Sequence, residues 1–112
     1  CISGEIFDVA VDLRKNSKSF LRYTSTILNS ENHTQFWIPK GFAHGFLTLR
    51  EETEVLYKTT NYWDKDHELG IKWNDPKIKI NWPIESINNQ LNISPKDING
   101  FYIKDIKKKD LF

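Results

Sequence analysis

The sequence predicts an all-β domain, a sandwich or barrel of short strands, over its 112 residues. Two patterns carry that expectation. Apolar and polar residues alternate over short runs, and clusters of Gly, Pro, Asn, Ser and charged residues break those runs at close intervals. Before the tail, no stretch shows the apolar spacing of an amphipathic helix. The length suits a single domain, 1–112, and leaves no room for a second core.

The first strand covers residues 4–13. Phe7, Val9, Val11 and Leu13 share one face, and Ile6, Asp8, Ala10 and Asp12 share the other, so one face is apolar and the other partly polar. Residues 14–19 form a polar turn, and residues 20–28, rich in β-branched and aromatic types, a second strand. After a turn at 29–32, residues 34–38 read as a short strand stopped by Pro39. Pro39, Lys40 and Gly41 make a turn, because Pro fixes φ and Gly permits positive φ. Residues 43–49 and 53–60 are the next strands, separated by an acidic turn at Glu51 and Glu52. A charged connection, 64–70, leads to two short strands, 71–73 and 78–82, around Asn74, Asp75 and Pro76. The tail, 97–112, alternates loosely between apolar residues and lysines, which leaves helix, strand and frayed end open. Its run Lys107, Lys108, Lys109 reads as a solvated surface segment.

Net charge is +1, from 16 Lys and Arg against 15 Asp and Glu, so there is no electrostatic case for a nucleic-acid partner. The single cysteine, Cys1, permits no internal disulfide and points to a reducing, cytoplasmic compartment. The apolar runs are too short for a membrane span, and the N-terminus lacks a signal pattern. The sequons at Asn32 and Asn92 read as accidental in an Asn-rich chain. With no Met and a start at Cys1, residues are expected to precede Cys1, and a site built from the whole fold would lack a wall here.

The histidines, His33, His44 and His67, form no compact metal-ligand spacing, so no metal site is expected from this chain alone. Pro39 to His44 has the form P-x-G-x-x-H, which resembles the second cupin motif, where a turn delivers a strand whose histidine points into the barrel. The motif leaves two readings of His44 open, a functional ligand and a histidine satisfied by local hydrogen bonds.

Longer blocks narrow this. Residues 4–14, G-E-I-F-D-V-A-V-D-L-R, resemble the V-x-G-x-x-(F/Y)-D-V-x-V-D-x-R block of dTDP-4-dehydrorhamnose 3,5-epimerases. Residues 37–46, W-I-P-K-G-F-A-H-G-F, are similar to that family's W-I-P-x-G-(F/L)-A-H-G-F, and residues 56–62 to its Y-K-T-T-x-Y segment. Trp73 to Pro76, Asn81 to Pro83 and Ile93 to Asp97 resemble its closing W-x-D-P, W-P and L-S-x-K-D series. The blocks occur in order along nearly the whole chain.

The resemblance implies a cupin-type double-stranded β-helix, or jelly-roll barrel, without its N-terminal strands. It implies a homodimeric enzyme acting on dTDP-4-dehydro-6-deoxy-glucose, whose C4 ketone acidifies the hydrogens at C3 and C5. A base removes a proton from one ring face, an enolate forms, and an acid reprotonates the other face, with no cofactor required. Tyr57 matches the proton donor, whose phenol stays protonated at neutral pH. The alternative for Tyr57 is a core tyrosine with a capped hydroxyl. Asp97 matches the aspartate that orients a catalytic histidine, against the alternative of a simple turn residue. That histidine lies in the family's R-G-L-H segment, which none of the three histidines here occupies, so this chain alone is expected to be inactive. His44 and Lys96 match contacts to the bound nucleotide sugar, and Glu68 an acidic contact. Trp63 stands where the family has a tyrosine that stacks on thymine; it keeps the aromatic face in a larger ring, against the alternative of a tryptophan filling core space. A related deoxysugar cupin (a single-centre epimerase or ketoisomerase) and a non-catalytic sugar-nucleotide-binding cupin are the competing readings. An H-x-H pair upstream would favour a metal cupin, and an R-G-L-H segment the epimerase.

Overall fold

The computed structural model describes residues 1–112 and contains one antiparallel sheet. Its strands are β1 (Glu5–Asp12), β2 (Tyr23–Asn29) and β3 (Phe42–Thr48), in the order β2-β1-β3. β1 is central, and Ile6, Val9, Ala10 and Val11 are buried on its two faces. Residues directly opposed in an antiparallel pair share a face. Val9 is opposed by Ser25 and Gly45, and Ala10 by Thr24 and His44, which puts His44 on the face of Asp8 and Asp12.

The apolar face of β1 makes the core. Val9, Val11 and Leu13 cluster with Ile78, Ile103 and Ile106 from the C-terminal half. Each such side chain contributes about 1.5–3 kcal/mol when fully buried, so this cluster, more than any ladder, holds the C-terminal half to the sheet. At its margin Phe7 meets Trp82 edge to face, with ring centroids 5.8 Å apart. The Trp82 indole N–H is satisfied by the carbonyl of Trp73 at 2.7 Å.

Asp12 organises the turn after β1. Its carboxylate accepts five hydrogen bonds: from the Arg14 amide, Nε and guanidinium Nη2, and from the Ser17 and Ser19 hydroxyls. The Arg14 guanidinium, helped by the two hydroxyls, holds this buried carboxyl well below the usual carboxylate range. Arg14 also lies over the Phe42 ring, 4.8 Å from its centroid. Gly41 (φ 93°) closes the next turn beneath it, where a Cβ would stand 2.6 Å from Arg14 Cγ.

Several expected strands are absent, each for a physical reason. β2 begins later than residue 20, because residues 20–22 belong to the Asp12 turn and Leu21 has φ 64°. Residues 34–38 join no ladder. Asn32 draws the chain into a turn by bonding the Ile27 carbonyl and the Asn29 and Thr34 amides, and His33 (φ 50°) carries it away from the sheet. Of residues 53–60 only Glu54 pairs, in a bridge to Ser3; beyond it no backbone runs alongside, and Leu56 and Tyr57 stand exposed. Residues 71–73 contribute one parallel bridge, Ile71 to Phe101. Residues 78–82 are broken at Lys79 (φ 55°), although Ile78, Ile80 and Trp82 still pack on the core. The charged connection holds a 3-10 turn at Lys65–His67. The tail forms short helical turns: α1 (Pro95–Ile98), then 3-10 turns at Ile103–Asp105 and Lys108–Asp110.

A depressed carboxyl stabilises the fold above its unfolded pKa, near ~4, and loses that contribution as pH falls below it. Asp12→Ala is therefore expected to cost about 2 kcal/mol at neutral pH, by leaving its donors unpaired. In urea titrations the difference from the unmodified chain should narrow steadily as pH drops below ~4. The outer edges of β2 and β3 carry no further strand. The isolated chain is therefore expected to self-associate, and a single monomeric, cooperatively melting peak on size exclusion would contradict this.

Candidate functional site

An open cavity of about 460 Å³ lies along β3, walled by residues 68–73, by Ile78, Ile80 and Trp82, and by residues 91–97. Its floor is apolar, from Val9 and Val11, and its polar side chains include His44, Glu68, Lys72, Lys96 and Asp97. Four of the six residues singled out from the sequence line it: His44, Glu68, Lys96 and Asp97.

His44 comes from β3, placed there by the Pro39 to Gly41 turn. Its Nε2 lies 2.5 Å from Asp8 Oδ1. Asp8 is only 4% exposed and accepts the Val9 amide as well. The His44–Asp8 contact engages Nε2 and holds the ring in one orientation, with Nδ1 not engaged by Asp8. Asp8 is the residue that sequence reasoning left without a role. Its signal was present in the register, one step from the Ala10–His44 pair on the polar face of β1.

Lys96 and Asp97 sit on α1, whose N-cap is Ser94. The Ser94 hydroxyl accepts the Asp97 amide at 3.1 Å and donates to Asp97 Oδ2 at 2.7 Å. Asp97 Oδ1 has no hydrogen-bond partner within the chain, which leaves it available to an outside donor. Lys96 Nζ contacts Glu68 Oε1. This ammonium, with a smaller contribution from Trp63, holds the Glu68 carboxyl below its ordinary range. Trp63 thus borders the site through Glu68 but does not line the cavity, and it is 72% exposed. Tyr57 is not brought in. It is 71% exposed, outside the cavity, on the unpaired stretch that follows Glu54.

No group of three His, Cys, Asp or Glu side chains is arranged to hold a metal ion. No helix is long and apolar enough to cross a membrane.

The family model for dTDP-4-dehydrorhamnose 3,5-epimerase matches residues 1–105. The chain belongs to the dTDP-4-dehydrorhamnose 3,5-epimerase family. Among relatives bearing that name, one from Shigella flexneri is 51% identical over 100 residues, covering 89% of this chain and 53% of its own. One from Methanothermobacter thermautotrophicus is 52% identical over 98 residues, covering 88% of this chain and 52% of its own. The chain thus spans about half the length of the relatives it matches. Among solved structures, dTDP-6-deoxy-D-glucose-3,5-epimerase from Legionella pneumophila, in complex with dTDP-4-keto-L-rhamnose, superposes with a TM-score of 0.86. It is 39% identical, and the match covers 98% of this chain and 57% of that one. This likeness identifies the three-stranded sheet as part of the cupin-type fold of these epimerases.

Lys96→Met removes the cation that depresses Glu68. The Glu68 pKa is expected to rise toward the ordinary carboxylate value, a change that side-chain carboxyl NMR titration reads directly. An unchanged midpoint would show that Lys96 does not govern this charge.

Proposed function

We propose that this chain supplies the C-terminal part of the site of a dTDP-4-dehydrorhamnose 3,5-epimerase, which inverts C3 and C5 of dTDP-4-dehydro-6-deoxy-D-glucose in dTDP-L-rhamnose biosynthesis. The observation that carries this is the convergence of His44, Glu68, Lys96 and Asp97 on one cavity, in a chain of this family.

Epimerisation next to a ketone needs a base, a proton donor and a group to stabilise the enolate. In this reading the free Oδ1 of Asp97 takes one N–H of a histidine from the remainder of the site, fixes its tautomer and stabilises the imidazolium after proton abstraction. Tyr57 returns a proton to the opposite ring face. That role rests on its family motif alone, and it requires the stretch after Glu54 to reach over the cavity. His44, oriented by Asp8, presents a ring nitrogen to the sugar nucleotide, and Lys96 presents a cation to its pyrophosphate. Trp63 offers an aromatic face to the base, next to Glu68. The reaction as written calls on no cofactor or metal. We also place the protein in the cytoplasm as a homodimer. The exposed apolar side chains Trp37, Leu56 and Tyr62 support association, which light scattering measures.

The test is hydrogen exchange with dTDP-4-dehydro-6-deoxy-D-glucose in D₂O, followed by NMR, in the natural polypeptide that contains these residues. Deuterium is expected at both C3 and C5, with none introduced by the 112-residue chain alone. Asp97→Asn and Tyr57→Phe are each expected to slow turnover by roughly 10²–10⁴-fold. Exchange at one carbon only would make the protein a single-centre epimerase. Tight binding without exchange at either would make it a sugar-nucleotide-binding cupin.

A further inference from the structure

The residues assigned to chemistry and to anion binding on the C-terminal side, Asp97 and Lys96, ride on α1, a single turn of Pro95–Ile98. A helix so short does not hold its own position in water, so something outside it must set where these two side chains enter the cavity. The neighbouring segment, residues 70–75, does this. The Phe101 amide donates to the Gly70 carbonyl and the Lys72 amide to the Phe101 carbonyl, each at 2.9 Å. Between these bonds Gly100 passes so close that a Cβ on it would lie 3.0 Å from Ile71 C and Lys72 N.

These contacts hold the chain after α1. The end of α1 itself is held by one side chain. Lys72 Nζ donates to the Ile98 carbonyl at 2.6 Å, and no backbone amide reaches that oxygen. Lysine side chains commonly satisfy the last carbonyls of a helical turn in this way. The ammonium is steadied from the other side by the Tyr102 ring, 5.3 Å away at its centroid. Lys72 therefore grips the segment twice, by its amide beyond Gly100 and by its side chain before it.

We propose that Lys72 is a positioning residue for Asp97 and Lys96: its ammonium, clipped to the Ile98 carbonyl, sets the height at which α1 presents both side chains to the cavity. The proposal rests on the epimerase reading for its kinetic consequence, and on the geometry alone for its structural one. A carboxylate displaced by a fraction of an ångström still binds its histidine but orients it less well, whereas the long, flexible Lys96 side chain takes up the same shift and still reaches an anion, so the loss falls on turnover and not on substrate affinity.

The experiment uses the natural polypeptide with Lys72→Met and Lys72→Arg, and Lys72→Gln should the apolar variant not fold. Lys72→Met (or Lys72→Gln) is expected to lower kcat about tenfold with KM within about twofold. It is also expected to speed amide hydrogen exchange at Asn99, Gly100 and Phe101, while Lys72→Arg, which keeps a donor in reach, restores most of both. Unchanged kcat and exchange would overturn the proposal. So would a raised KM at constant kcat, which would make Lys72 a direct ligand contact, or an arginine variant as impaired as the methionine one. If the unmodified protein does not turn over the sugar nucleotide, the functional reading fails; the exchange rates at 99–101 then still decide whether the clip exists.

Discussion

Asp75 ties the two halves of the core together through backbone amides. It is 2% exposed, and its Oδ1 accepts the amides of Lys77 and Ile78 while Oδ2 accepts that of Ile103 at 2.7 Å. A buried carboxylate without partners is severely penalised; here each donor is a peptide N–H, so the bonds pin the main chain and not a mobile side chain. One oxygen shapes the turn that offers Ile78 to β1. The other draws in Ile103, and Ile106 follows. With so little regular structure beyond the sheet, this joint substitutes for a ladder. The loop bearing Lys96 and Asp97 leads into the Ile71–Phe101 bridge and then into Ile103, so its C-terminal end is tethered to this joint.

The charges around the cavity come in pairs of unequal depth. Asp8 is buried under a partly exposed His44, whereas Lys96 is mostly exposed beside a partly exposed Glu68. Exposed ion pairs are weakly held, since water and salt screen them, so Lys96 can exchange Glu68 for an anionic ligand with little loss. The Asp8–His44 contact is different in kind. Removing either partner strands a polar group in a poorly solvated place, and the ring is thereby held in one orientation whether or not a ligand is present.

The sequence showed β1 almost residue for residue, because alternation records two different faces and both faces of this strand are used. The Arg14 to Ser19 turn was equally visible in its short polar side chains. Residues 53–60 carry strand-forming types at Thr53, Val55, Tyr57, Thr59 and Thr60, but composition says nothing about whether a neighbouring backbone is present to bond; here only Ser3 meets Glu54. Residues 78–82 show the converse, with core contacts made from a backbone that Lys79 turns out of any ladder. Four of the six candidate site residues share the cavity because the family blocks record tertiary arrangement that propensity does not. Asp8 escaped notice because an acidic residue on a half-polar strand face has many innocuous explanations until the register supplies His44. The tail was hard to type because its turns are single and lean on distant partners, Asp75 at Ile103, Lys72 at Ile98 and Lys15 at Lys108.

The stretch from Val55 to Trp63 is anchored at Glu54, and inside it Thr59 donates a hydrogen bond to the Asn61 carbonyl. Ordering a residue's backbone costs about 1–2 kcal/mol of conformational entropy. A ligand that gathers this stretch over the cavity must meet that cost for each residue it fixes, while burying Leu56, Tyr57 and Trp63 in return. Complex formation of that kind carries a marked negative heat-capacity change and an enthalpy that grows more favourable on warming, offset by a steepening entropic penalty. For such a ligand, occupancy would respond to temperature through this ordering, apart from the charges lining the cavity.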